Sequence, residues 1–270
     1  MHPIEHLRYV ARAQGADPSS LVEETAHALG SLHFDPSGLV VACRRIVERH
    51  PFTGALWWLC ANVVTSAEPF EAVWELADAI RSDRTGAELA AVLPDEATVV
   101  TIGDPDVIGD GLIRRGDVQV LALDAGYTAT SFVRRLERYD VDVEAVDAGV
   151  AGAAVRSAYV VLVEALAADS GRVLVPSGSS TIAAAASAFG TESWIVAGVG
   201  RRLPSGFLDA MVAKVDALAE EVDPWGLDVE VIPTSMFTHV VGPHGKVPMG
   251  PPAIVAECPM AHELLRPSHI

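Results

Sequence analysis

The residues best placed for chemistry are Pro176-Ser177-Gly178-Ser179-Ser180, which follow the Val-rich run 172–175 and open an Ala-rich helical segment. Backbone N–H groups and hydroxyls gathered at the positive end of a helix hold an anion, phosphate above all. A Ser-rich turn also caps a helix with no ligand present, so the pattern admits either role. One strand further on, Arg201 and Arg202 complete a phosphate clamp if they face the same pocket, and form a solvated surface pair if they do not.

Acidic residues fall at the ends of other expected strands: Asp104 and Asp106 on either side of Pro105, then Asp124, Asp147 and Glu164. In an open parallel sheet, ligands bind at the carboxyl ends of the strands. That rule gathers Gly103, Asp104, Asp124, Glu164, residues 177–180, Arg201 and Arg202 into one candidate site carrying both signs of charge. Asp104 is a candidate base and Asp106 a candidate metal ligand, although Asp around Pro is also ordinary turn chemistry at a helix start. Asp124 and Asp147 stand where acidic residues read ribose hydroxyls in dinucleotide folds, but no GxGxxG follows the first strand, so no nicotinamide cofactor is expected. No cofactor of another kind is assigned. The nine histidines are scattered, none is paired at ligand spacing on an expected helix, and His239 and His244 only flank a turn, so no metal site is expected. The GxSxG elbow of a serine hydrolase is missing too.

The elements that position these residues change character near residue 95. Up to that point apolar residues recur at helical spacing, giving helices over 3–13, 19–32, 37–49, 68–81 and 85–93. A further helix after Pro51 runs through Leu56, Trp57, Leu59 and Val63, apolar nearly all round and therefore buried. Ser20 and Glu23 read as the capping box of the second helix. From residue 97 short β-branched runs alternate with helical stretches, the pattern of a parallel sheet with crossover helices. Strands are expected over 97–102, 118–123, 141–146, 159–163, 172–175, 193–197 and 227–232, with helices over 106–115, 128–139, 150–157, 181–189 and 206–222. The fold class is α/β: an N-terminal helical region (1–95), a Rossmann-like, mostly parallel sheet with flanking helices (96–247), and a Pro- and Gly-rich tail (248–270) that continues an extended wrap from Gly242.

Composition narrows the function. Nineteen basic against 36 acidic side chains give a net charge of −17, a field that repels nucleic-acid phosphates, so direct nucleic-acid binding is not expected. Charged or turn residues interrupt every apolar stretch before the roughly 18 residues of a membrane span, and the N-terminus has no basic start followed by an apolar run. Cys43, Cys60 and Cys258 are few, odd in number and widely spaced, as in reduced cytosolic proteins. The expected location is the cytoplasm, with no membrane partner.

The order of the pieces carries a resemblance. His50-Pro51-Phe52-Thr53 through Leu59 and Asn62, Val99-Val100-Thr101-Ile102-Gly103, Ser170-Gly171 followed by Gly178-Ser179, Ile195-Val196-Ala197 followed by Arg201, Glu230-Val231-Ile232-Pro233, and Val240 to Gly245 together resemble the translation initiation factor 2B α/β/δ family. Its relatives are the methylthioribose-1-phosphate and ribose-1,5-bisphosphate isomerases. The resemblance spans about residues 45–247 and implies a Rossmann-like fold, a homodimer and a phosphorylated sugar or nucleotide as ligand. It also exposes departures. Gly103 stands where the isomerases have Cys, and Ala165, with Glu164 beside it, stands where they have Asp. Val175-Pro176 replaces their Asn-Lys, and Gly126 or Tyr127 replaces an Arg. Proton or hydride transfer on a sugar needs placed acid and base groups, and only Asp104 and Glu164 are left to supply them. The sequence therefore reads as a regulatory binding protein that has lost the isomerase chemistry. The alternative is an aldose–ketose isomerase with a rearranged site built on Asp104 and Glu164, and a third reading is a structural assembly partner.

Overall fold

A computed structural model describes residues 18–30, 36–124, 129–251 and 253–266; the helix expected over 3–13 lies outside them. The N-terminal region is helical: α1 (Pro18–Gly30), α2 (Pro36–Arg49), α3 (Gly54–Thr65), α4 (Pro69–Arg81) and α5 (Thr85–Val92). α1 begins at Pro18, so Ser20 lies inside the first turn and not at the cap expected for it. The apolar circumference of α3 is explained by its place. Nine of its residues, from Gly54 to Val63, are buried, and the Gly54 amide donates to the Leu166 carbonyl at 3.0 Å, so the helix is enclosed between the other helices and the sheet region.

The second part runs β1 (Thr98–Ile102), α6 (Asp106–Arg115), β2 (Gln119–Asp124), α7 (Ala129–Glu137), β3 (Asp142–Asp147), α8 (Ala151–Ser157), β4 (Val160–Glu164), β5 (Ala167–Ala168), β6 (Arg172–Pro176), α9 (Ser179–Phe189), β7 (Glu192–Val196), α10 (Ser205–Glu221), β8 (Val229–Pro233), β9 (His239–Gly242) and β10 (Gly245–Pro248). Seven strands form one sheet in the order β10-β9-β7-β4-β1-β2-β3, parallel except for β10. Alternation along each strand sorts its side chains to two faces. Val99, Val160 and Leu162 join Ile108, Leu112 and Phe132 of α6 and α7, while Val100, Val161 and Val163 join Val155 of α8 and Ile182 of α9. Among the described residues no helix is long and apolar enough to cross a membrane.

Two expectations are corrected. The run 172–175 is not part of the parallel sheet: β6 pairs antiparallel with β5 and β8 in a separate three-stranded sheet. A parallel crossover needs roughly a dozen residues, and the short link between β4 and β6 cannot supply them. The chain folds back instead through a tight turn in which the Asp169 carboxylate accepts from the amides of Gly171 (2.8 Å) and Arg172 (2.7 Å). The stretch from Gly242 is not an extended wrap at its start, because β9 and β10 form a hairpin on the sheet edge. Beyond it, Cys258, Ala261 and Leu264 are buried in the same core as α1–α4 and α10.

Candidate functional site

β4 sets the centre of the site. Its period-two alternation puts Glu164 on the face of Val160 and Leu162, beneath the start of α6, and the side chain is 5% exposed. One carboxylate oxygen accepts from the Ile108 amide at 3.1 Å; the other lies 3.5 Å from Nη2 of Arg201, itself buried. Nη1 of Arg201 donates to the Ala165 carbonyl at 3.0 Å. Burial pushes the Glu164 carboxyl up to about 7, with nearby Asp106 adding to the rise. Arg201 and the amides of Ile108 and Val107 pull the other way without cancelling it.

Around this buried pair lies a more exposed cluster. Gly103 leaves β1 in the left-handed region, at φ 79°. Asp104 accepts from the Ser131 hydroxyl at 2.6 Å and faces Arg135 of α7 at 3.5 Å. Asp106 opens α6, accepts from the Ser19 hydroxyl at 2.9 Å, and lies 3.6 Å from the same guanidinium. Arg135 was not singled out by the sequence because it sits in the middle of an amphipathic helix with other arginines nearby, and no local motif marks it. Asp124 caps α7 by accepting from Ala129 at 3.4 Å, and Asp147 caps the turn at Gly149 at 2.7 Å. Gly126 and Tyr127 lie outside the described residues. Among those described, no group of three or more His, Cys, Asp and Glu is placed to hold a metal ion.

Residues 177–180 do open a helix, with Gly178 as its cap at φ 92°. A Cβ there would come within 2.9 Å of Ile102, so both the backbone conformation and the packing against β1 call for glycine. The hydroxyls are directed inward. Ser179 donates to the Pro176 carbonyl at 2.6 Å and Ser177 to the Leu227 carbonyl. The amide and hydroxyl of Ser180 hold the carboxylate of Glu230, on β8, at 2.8 and 2.7 Å. This loop lines a cavity of about 450 Å³ with Val212 and Asp216 of α10, Trp225 and Glu230.

The expected clamp of residues 177–180 with both arginines is therefore not assembled. Arg201 is committed to Glu164 and Ala165, and Arg202 to Glu257. The same thing happens at three amide cradles: Glu164 sits on α6, Glu230 on α9, and Glu257 on the turn at Gly200, whose amide it holds at 2.9 Å. Asp83 takes the neighbouring Val199 amide at 2.9 Å. These are the anion sites a helix start or a turn provides, each holding a carboxylate of the chain itself. Glu230 and Glu257 lie far along the sequence from the cradles they occupy, beyond the reach of any local motif.

No family model matches the sequence, and no curated protein matches it. The fold does match solved structures. The translation initiation factor eIF-2B of Pyrococcus horikoshii OT3 superposes with a TM-score of 0.77 at 16% identity, covering 94% of this chain and 98% of that one. The eIF2B beta subunit of Chaetomium thermophilum gives 0.67 at 13%, covering 92% and 88%. A chain of the tetrameric eIF2B-beta2-delta2 complex of C. thermophilum gives 0.69 at 14%, covering 92% and 90%. At such identities the likeness speaks for architecture, and the architecture of this chain, helical region and sheet together, is the eIF2B fold.

Proposed function

We propose that the chain is a cytoplasmic, homodimeric regulatory protein of the eIF2B type that binds a phosphorylated sugar or nucleotide and does not isomerise it. The observation that carries the reading is the Ser180–Glu230 contact at the rim of the α9 cavity. A helix start that already binds a carboxylate with one amide and one hydroxyl has the donors for a phosphate oxygen, and Glu230 holds the place such an oxygen would take. The sugar or base would lie along Trp225 and Val212. Isomerisation is disfavoured because both oxygens of Glu164 are engaged inside the protein and Asp104 is tied to Ser131 and Arg135. Neither group has an oxygen turned to a substrate for the proton it would have to move.

Glu230 and Asp216 make the cavity acidic, so affinity for phosphate in the unaltered protein is expected to be modest. Glu230→Gln removes the competing charge and keeps an acceptor for Ser180. It is expected to tighten the binding of ribose-1,5-bisphosphate, methylthioribose-1-phosphate or a nucleotide by about tenfold or more, read as a larger rise in melting temperature. If no phosphate shifts the melting temperature of either protein, the ligand reading fails and assembly alone remains. Ketose product seen by NMR, and lost in Asp104→Asn, would establish the isomerase alternative instead. Light scattering is expected to give twice the monomer mass; a monomer would remove the dimer from the proposal.

A further inference from the structure

A second cavity, of about 600 Å³, opens beside the β9–β10 hairpin and is lined by Arg202, Val240, His244, Val247, Met249 and Ala253 among others. Its walls are mostly apolar, and its one cation is unusual. The Arg202 side chain is 16% exposed, and its Nε is buried with no hydrogen-bond partner among the described residues. Nη1 passes over Gly242, where an added Cβ would lie 3.9 Å from it, so the glycine leaves the guanidinium room at the cavity wall. Among the described residues only Nη2 is paired, with Oε1 of Glu257. The other oxygen of Glu257 accepts from the Gly200 amide at 2.9 Å and from the Arg202 amide at 3.4 Å. One carboxylate thus collects a guanidinium and two backbone donors, the set that binds a phosphate group.

Glu257 belongs to the segment that leaves the hairpin and crosses to the helical region. Met249 is pinned by its amide to the Thr238 carbonyl at 2.8 Å, and Glu257 by its own amide to the Arg202 carbonyl at 2.9 Å. The Glu257 carbonyl accepts from Nε1 of Trp58 at 3.2 Å. Cys258, Ala261 and Leu264 then enter the helical core. Met249, Gly250, Pro251 and Ala253 form part of the cavity wall, so whatever replaces the Glu257 carboxylate loosens the strap just ahead of Glu257 while the backbone of Glu257 stays anchored.

We propose that Arg202, with the amides of Gly200 and Arg202, is a binding site for a phosphate monoester with a small apolar or aromatic body, and that Glu257 is its built-in competitor. The phosphate takes the donors Glu257 now holds, and the body lies on Val240, Val247, Met249 and Ala253. A phosphate dianion exceeds a carboxylate in charge and in acceptor atoms, which lets it displace the glutamate. The site is independent of the α9 cavity, whose lining shares no residue with this one.

Calorimetric titration with phenyl phosphate tests it. Glu257→Gln is expected to bind at least tenfold more tightly than the unaltered protein, and Arg202→Met in the Glu257→Gln background to abolish that gain. Phenol, which lacks the charge, is expected not to bind. In the unaltered chain, saturating phenyl phosphate is expected to speed hydrogen exchange over residues 253–256, a readout that needs no variant to fold. Equal affinity in Glu257→Gln, a gain that survives loss of Arg202, or unchanged exchange over the strap would each overturn the proposal.

Discussion

Arg201→Met is expected to lower the stability of the fold by about 3–5 kcal/mol at pH 8, measured by urea denaturation. Arg201 is 3% exposed and is the only cation within salt-bridge distance of Glu164 among the described residues. Methionine fills much of the same volume, so the cost is electrostatic. Removing one member of a buried pair leaves the other charge uncompensated, a loss of roughly this size. The Ala165 carbonyl also loses its donor, which costs about 1–3 kcal/mol when the acceptor stays buried. The variant has a pH signature. Without the guanidinium, Glu164 escapes its predicament by taking up a proton, so the loss should shrink at pH 6 and grow toward pH 9. In a Glu164→Gln background the same substitution should cost only the carbonyl's share, since no carboxylate is stranded. Full, pH-independent additivity of the two changes would mean that they do not interact, contrary to a contact at 3.5 Å.

The sequence is legible where burial marks composition and silent where topology decides a contact. The alternation of β-branched runs with helical stretches locates β1, β4 and β7 because each is buried on both faces, and burial leaves its mark in composition. It cannot say which strand pairs with which, and so 172–175 reads as one more parallel strand. The length of the link after β4 is the physical clue to the antiparallel turn, since no crossover fits there. Two-residue β5 and the short β9 and β10 are too brief to show a period. At the site, Glu164 and Arg201 are each visible as strand-end residues, but their pairing depends on β7 lying directly beside β4. The carboxylates on the amide cradles are harder still. Glu230 meets Ser180 only because β8 pairs with β6, and Glu257 meets Gly200 only because the chain returns across the hairpin. Such contacts are set by topology and leave no pattern at fixed spacing.

The second large effect is a dependence of stability on pH that Glu164 alone should impose. Burial raises its carboxyl from the ordinary 4.5 to about 7 in the folded chain. Between those values the native protein keeps a proton that the unfolded chain has released, so the contribution is complete below about 4.5 and is lost as the pH rises through 7. The gap corresponds to about 3 kcal/mol, reached by pH 8. Glu164→Gln has no proton to lose, and its amide can still accept from Ile108 or Arg201. Against the unaltered protein it is therefore expected to gain up to about 3 kcal/mol between pH 5 and pH 8, whatever its standing at pH 5. Asp169 does not confuse the measurement. Burial pushes it up, but Arg172 and the amides of Gly171 and Arg172 outweigh that and hold it below its usual 3.8, so its contribution is lost only in more acid solution. Parallel stability curves for the two proteins from pH 5 to 8 would place Glu164 at an ordinary carboxylate value and dissolve the case for a strained pair. A divergence of the expected sign would mean that near neutral pH this carboxyl is poised between its two forms, with Arg201 and the start of α6 responding to each.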